Sequence, residues 1–144
     1  MNRDTRLADV LHVLVHLSQV KEPLTSDVLA KGMGTNPAVF RRTMAGLRDG
    51  GYVRSGKGHG GGWSLARPLS QISLLDVYTA LGSPNLFAIG SRSEQPDCKV
   101  ERNVNEALAE TMAQAEELFV RRFGEITLDK LEPKEAASLA VHSD

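Results

Sequence analysis

The chain has 144 residues, enough for one domain with a real core, and its 41% hydrophobic and 24% charged content is ordinary for a globular protein. No apolar run approaches the ~18 residues that span a bilayer, and the opening MNRDTRLADV has no hydrophobic signal core, so the expectation is a cytoplasmic protein with no membrane partner. One cysteine, Cys98, excludes an internal disulfide and a multi-cysteine zinc site.

Residues 5–18 place Leu7, Val10, Leu11, Leu14, Val15 and Leu17 mostly at helical spacing, with Asp4 or Thr5 as the cap and Lys21-Glu22-Pro23 closing the segment. His12 and His16 stand four apart, the spacing at which two imidazoles can share a metal. No metalloprotease acid lies between them and no third ligand is near, so they read as surface or boundary histidines and no metal is assigned. A second helix runs from about Ser26 to Met33, capped by Thr25 or Ser26, with Val28 and Leu29 as its buried side and Gly32 and Gly34 ending it.

The third helix follows at once. Asn36 is a good N-cap, Pro37 suits the first helical position, and Phe40, Met44 and Leu47 make one apolar face. Arg41, Arg42 and Arg48 lie off that face, and Gly50-Gly51 stop the helix. Two short helices joined by a glycine-containing turn are the helix-turn-helix signature.

Tyr52-Val53-Arg54 reads as a short strand, the run from Gly56 to Gly62 as a turn, and Trp63 to Ala66 as the return strand. Gly56, Gly58 and Gly61 satisfy a GxGxxG spacing, but a nucleotide site needs a helix N-terminus next, and Trp63-Ser64-Leu65-Ala66-Arg67-Pro68 is strand-like. A basic hairpin behind a helix-turn-helix is instead a wing. Its glycines let backbone approach DNA while Lys57 and His59 present cationic or hydrogen-bonding groups.

After the linker 67–71, Ser73 reads as an N-cap with Asp76 in the capping-box position, opening a helix through Val77 and Leu81 that ends at Gly82-Ser83-Pro84. Residues 85–99 lack a period and read mostly as loop. From about Val100 to Phe123, Val104, Leu108, Met112, Ala115 and Phe119 recur at three and four, a helix about 35 Å long. Such a stripe needs a partner surface, and a second copy is the simplest supplier. Thr127 is read as the cap of a final short helix with Leu128 and Leu131, and the tail after Glu132 is expected to fray.

Charge divides along the same line. Residues 1–67 carry ten Lys/Arg against five Asp/Glu, a net of +5; residues 68–144 carry seven against thirteen, a net of −6. That split suits a basic nucleic-acid face on one part and a self-association or effector part on the other. On an arbitrary helix Arg41 and Arg42 would be solvated charges. At the start of a recognition helix they are placed to bind guanine or phosphate, with Asn36, Ala38 and Val39 pointing at the same groove and the apolar pair suited to thymine methyls. No catalytic set stands out, so an enzyme is not expected.

These residues resemble the Rrf-type (BadM-like) winged-helix transcription regulators, a group that includes iron–sulfur and nitric-oxide sensors. The resemblance spans nearly the whole chain and is carried by Leu47-Arg48, Gly51-Tyr52-Val53, the wing from Gly58 to Ala66, Ile72 to Val77, and Ile126 to Leu131. It implies a homodimer joined through the long helix on a pseudo-palindromic operator. It also places Asn36, Ala38, Val39, Arg41 and Arg42 where members contact bases and phosphates, and Lys57 where a basic group enters the minor groove. Cluster-binding members carry three cysteines before the long helix; this chain keeps only Cys98, which resembles the last of them, so no iron–sulfur cofactor is expected.

The resulting expectation is a mainly α fold: a winged helix-turn-helix domain over 1–83 with a two-stranded wing, a loop or sensor region over 84–99, a dimerisation helix and short closing helix over 100–132, and a tail over 133–144. Its function is expected to be sequence-specific binding of double-stranded DNA by a homodimeric regulator, a repressor first. The DNA-binding residues would be Asn36, Ala38, Val39, Arg41, Arg42, Arg48, Lys57 and His59. The alternatives are a thiol-based redox sensor through Cys98, and a winged-helix protein–protein adaptor; a small-molecule effector of the acidic part stays open.

Overall fold

The computed structural model describes residues 3–91 and 97–133. The expected tail beyond 133 lies outside these residues, as does part of the 85–99 loop. In chain order the elements are α1 (Arg6–Ser18), α2 (Ser26–Gly32), α3 (Pro37–Asp49), β1 (Val53–Gly56), β2 (Gly62–Leu65), a 3-10 turn (Leu69–Gln71), α4 (Leu74–Ala80), α5 (Lys99–Glu125) and a last 3-10 turn (Leu128–Leu131). The fold is mainly α with a two-stranded antiparallel wing and a long C-terminal helix, as the sequence implied.

The core forms where the stripes of the first four helices meet. Val10, Leu14, Phe40, Met44, Leu47, Ile72, Val77 and Leu128 are fully buried in it. Burying one such side chain contributes about 1.5–3 kcal/mol, so this cluster supplies the main driving force for the fold. Caps set the helix starts: the Thr25 hydroxyl accepts from Val28 N–H, and the Asn36 Oδ1 accepts from Val39 N–H. Ser73 and Asp76 complete a reciprocal capping box at α4, so the shorter aspartate does reach back to the N-cap amide.

Four local expectations are corrected or narrowed. Val28 is 58% exposed, because the buried side of α2 is Leu29 and Ala30, with Met33 one turn on; Val28 stands one residue off that stripe. Of the two caps offered for α1, Asp4 is the one used: its Oδ1 accepts from Arg6 N–H at 3.1 Å, while the Thr5 hydroxyl donates to the Asp9 carboxylate. Thr127 likewise gives its hydroxyl to Asp129, and the segment it precedes is a single 3-10 turn. Tyr52 and Ala66 fall just outside the strands, whereas Gly56 and Gly62, read as turn, are their paired ends; the Tyr52 carbonyl still accepts from Ala66 N–H at 3.0 Å.

The wing is bolted to the helices rather than free. Its register pairs Val53 with Leu65 and Gly56 with Gly62. Trp63 and Leu24 exchange backbone hydrogen bonds at 2.7 and 3.0 Å, and Trp63 Nε1 donates to the Ser26 hydroxyl at 2.8 Å. Trp63 also meets Phe40 of α3 edge to face. Gly62, at φ +144°, is required here: a Cβ would stand 2.7 Å from the Leu24 carbonyl oxygen.

The C-terminal segment folds back in the same way. Leu74 N–H donates to Ile126, Leu128 N–H donates to Ile72, and the Leu128 side chain enters the core. Between these anchors α5 extends about 40 Å for its 27 residues, yet none of them is buried. Much of the stripe read from the sequence faces the chain itself: Leu108, Met112, Ala115 and Phe123 are half-buried, with Phe123 against Tyr78, Phe119 against Phe87 and Gly124 near Leu75.

Candidate nucleic-acid interface

Burying Phe40, Met44 and Leu47 fixes the rotation of α3 and thereby turns the opposite side to solvent. At 100° per residue, Arg42 and Asp49 lie opposite the buried stripe with Ala38 beside them, Arg41 and Arg48 share one flank, and half-exposed Ala45 falls between Ala38 and that flank. Ala38, Arg41, Arg42 and Arg48 are all exposed. Ala38 and Ala45, between Arg42 and the Arg41–Arg48 flank, make a low ridge, which lets a helix backbone approach the floor of a major groove.

Most of the cationic charge there is unpaired. The ion pairs among the described residues are Asp4 with Arg6, Arg48 with Asp49 at a long 3.9 Å, and Arg122 with Glu125. Arg41, Arg42, Arg54 and Lys57 have no such partner among the described residues. Exposed cations left without carboxylates are available to phosphate, and each contact releases a counterion.

Each sequence-predicted residue has a definite place. Ala38, Arg41, Arg42 and Arg48 come together on α3. Asn36 spends its Oδ1 on the cap, which leaves its amide N–H groups as donors beside the first turn. Val39, 37% exposed, lies on the Arg42 side of the helix. Lys57 and His59 are exposed at the wing tip, where Gly58 and Gly60 take φ of +82° and +80°, a conformation that favours glycine. Cys98 is separate from this surface, exposed at the N-cap position of α5.

The sequence reading passed over three positions. Ala45 lies half-exposed between Ala38 and Arg41, and its spacing of seven from Ala38 is the signal that identifies it. Arg54 alternates with buried Val53 on β1 and so faces outward, adding a cation to the wing. Gly46 is the third. A Cβ on it would lie 2.1 Å from the Ala80 carbonyl oxygen, so its lack of a side chain is what lets α3 and α4 cross closely.

Around the end of α3, Tyr52 N–H donates to Leu47 at 2.9 Å and Gly51 takes φ +79° to turn into β1. The Arg67 guanidinium stacks over the Tyr52 ring at 5.1 Å. Burial, with Asp76 beside it, pushes the Tyr52 phenol above its ordinary pKa. Helix, turn and wing are thus one rigid unit, the condition for reading a groove with fixed geometry.

The chain is similar in sequence and shape to proteins described as regulators. The family model described as Rrf2, iron-dependent transcriptional regulator, matches residues 3–133. YwnA of Bacillus subtilis strain 168, named as an HTH-type transcriptional regulator, is 35% identical over 109 residues, covering 75% of this chain and 80% of its own. A crystal structure of a protein described as DNA-binding superposes with a TM-score of 0.67 at 28% identity, covering 88% of this chain and 97% of that one. CymR, the global cysteine regulator of B. subtilis, shares the fold at TM-score 0.57 and 19% identity, over 91% of this chain and 95% of its own. The chain belongs to the Rrf2 family of winged-helix transcriptional regulators, a family of DNA-binding proteins rather than enzymes.

Proposed function

We propose that the protein is a homodimeric, sequence-specific regulator that reads a pseudo-palindromic operator with α3 and grips the flanking backbone with the wing. The observation that carries this reading is the α3 ridge, where Arg41, Arg42 and Arg48 stand exposed around Ala38 and Ala45 opposite a fully buried stripe. Within it the arginines bind guanine edges or phosphate, and the alanines and Val39 meet thymine methyls. Lys57, His59 and Arg54 serve the adjacent backbone or minor groove.

Dimerisation is supported by α5. Val100, Val104, Ala107, Thr111 and Leu118 follow at intervals of four, three, four and seven, and Val100, Val104 and Leu118 are more than half exposed in the single chain. A helix this long with an apolar stripe facing water is stabilised by a second copy, and two-fold pairing places two α3 helices for two half-sites. Occupying a promoter excludes polymerase directly, so repression is the output this reading takes.

The regulator works without an iron–sulfur cluster in this proposal. A thiolate-held cluster needs several cysteines, and the donor set offers one, Cys98. Among the described residues no group of three or more His, Cys, Asp or Glu is placed to hold such a cofactor.

The test is enrichment of bound duplexes from a random library. The expected product is a two-fold symmetric motif whose half-site centres lie about 10 base pairs, or a multiple, apart. Enrichment of an asymmetric motif would overturn the dimer geometry. Absence of any motif would overturn sequence-specific reading and favour the adaptor alternative.

A further inference from the structure

α1 carries a feature that DNA reading does not use. His12 and His16 are both exposed, their rings are 4.5 Å apart between centroids, and their Nε2 atoms converge to 2.9 Å. The opposite side of the helix is clamped by buried Val13, Leu14 and Leu17, so the backbone that presents the pair does not move to bring them together. They open into a groove of about 330 Å³ walled by Leu11, Val15, Leu131 and Pro133, with Gln19 one turn beyond His16.

We propose that His12 and His16 form a two-imidazole chelate for a divalent transition-metal ion of the Zn²⁺, Ni²⁺ or Cu²⁺ type. Two nitrogens bound to one such ion at about 2.0–2.1 Å lie about 2.9 Å apart at a right angle and about 3.4 Å apart at the tetrahedral angle. The observed 2.9 Å therefore already matches an octahedral or square-planar cis pair, and a ring rotation of a few tenths of an ångström reaches the tetrahedral one. The two Nε2 atoms already stand within the span one ion needs, and a turn of the rings points both lone pairs at it without rebuilding the helix.

In the metal-free pair one Nε2–H donates to the bare Nε2 of the other ring. Binding requires both Nε2 atoms bare, so the donating ring moves its proton to its own Nδ1, and each neutral imidazole then gives one lone pair to the ion. No proton or electron is gained or lost by the protein. Among the described residues no third His, Cys, Asp or Glu joins the pair. Water completes the coordination, or the Gln19 amide oxygen takes one position. Imidazole ligands select borderline ions over Mg²⁺ and Ca²⁺. The apolar walls limit how many waters compete around it.

The test is thermal unfolding of the full chain, without an affinity tag, in added Zn²⁺ and, separately, Ni²⁺, alongside equilibrium dialysis for stoichiometry. Wild type is expected to bind one ion per chain and to gain about 3–5 °C at a metal concentration ten times Kd. His12→Ala and His16→Ala, both at exposed positions, are expected to fold as wild type and to lose that gain, whereas His59→Ala keeps it. Two results would overturn the proposal: no gain in wild type with either ion, or a gain of the same size in both α1 variants. Mg²⁺ producing the same gain would overturn it as well.

Discussion

Replacing Gly46 by alanine tests whether the α3–α4 crossing holds the recognition helix in place. The new Cβ would stand 2.1 Å from the Ala80 carbonyl oxygen, and ordinary contact begins near 3.4 Å, so the helices must separate by about 1.3 Å at this point. The obstacle is backbone, so no side-chain rotation relieves it. Overpacking of this kind costs about 1–3 kcal/mol, and a backbone clash belongs at the upper end. Alanine recovers up to about 1 kcal/mol as the better helix former, leaving a net loss of about 2 kcal/mol. For a chain of this size that lowers Tm by about 4–8 °C at fixed protein concentration. Differential scanning calorimetry measures it, with Gly32→Ala as the control. Gly32 lies in α2 with nothing within 4 Å of an added Cβ, and should be neutral or slightly stabilising. If Gly46→Ala proved as stable as wild type, the close crossing would not exist, and the argument for how α3 is positioned would fail with it.

Three further outcomes follow from particular contacts. Trp63→Phe removes the 2.8 Å hydrogen bond to Ser26 and part of the edge contact on Phe40, and should lower stability by about 1–3 kcal/mol, read as a Tm shift; no shift would mean the wing is not bolted to α2 and α3. Tyr52 has a raised folded-state pKa, so its contribution is full below the unfolded value of 10.0 and is lost as pH rises through the folded one; Tm of Tyr52→Phe should therefore fall less than that of wild type between pH 9 and 11, and parallel curves would contradict the burial. Leu118→Glu puts a carboxylate on the exposed stripe of α5; losing about 1.5–3 kcal/mol per side chain, twice by symmetry, should raise the dimer Kd by about 10²–10⁴-fold in sedimentation while the circular dichroism stays that of wild type, and an unchanged dimer would rule this stripe out as the interface.

What the sequence disclosed depended on how local the cause was. The Asn36 cap, the Phe40-Met44-Leu47 stripe and the Ser73–Asp76 box are short-range patterns, and each took its expected form. The wing was legible because seven residues from 56 to 62 include five glycines, too many for a helix or a strand interior; only Gly56 and Gly62 are taken up, as the paired ends of the two strands. Val28 was misread because a seven-residue helix is too short for its buried side to be told from periodicity alone. Thr5 and Thr127 follow a capping pattern, yet each has an aspartate nearby that captures the hydroxyl instead. Gly46 could not be read at all. A glycine inside a helix looks like a weak spot until the Ala80 carbonyl is seen against it. At the site, the arginines announced themselves through charge. Ala45 and Arg54 needed the face assignment first, since neither residue type is distinctive by itself.

The central claim is that the exposed arginines of α3 hold DNA. Its most direct measurement is a salt series of binding to the enriched duplex, wild type against Arg41→Ala/Arg42→Ala. A dimer presents four of these arginines, and each phosphate contact contributes about 0.9 to the slope of log K against log salt, so the variant should bind more weakly with a slope shallower by up to about 3.6. Equal affinity and equal slope for the two proteins would contradict the account, because the α3 ridge would then not be the surface that meets DNA.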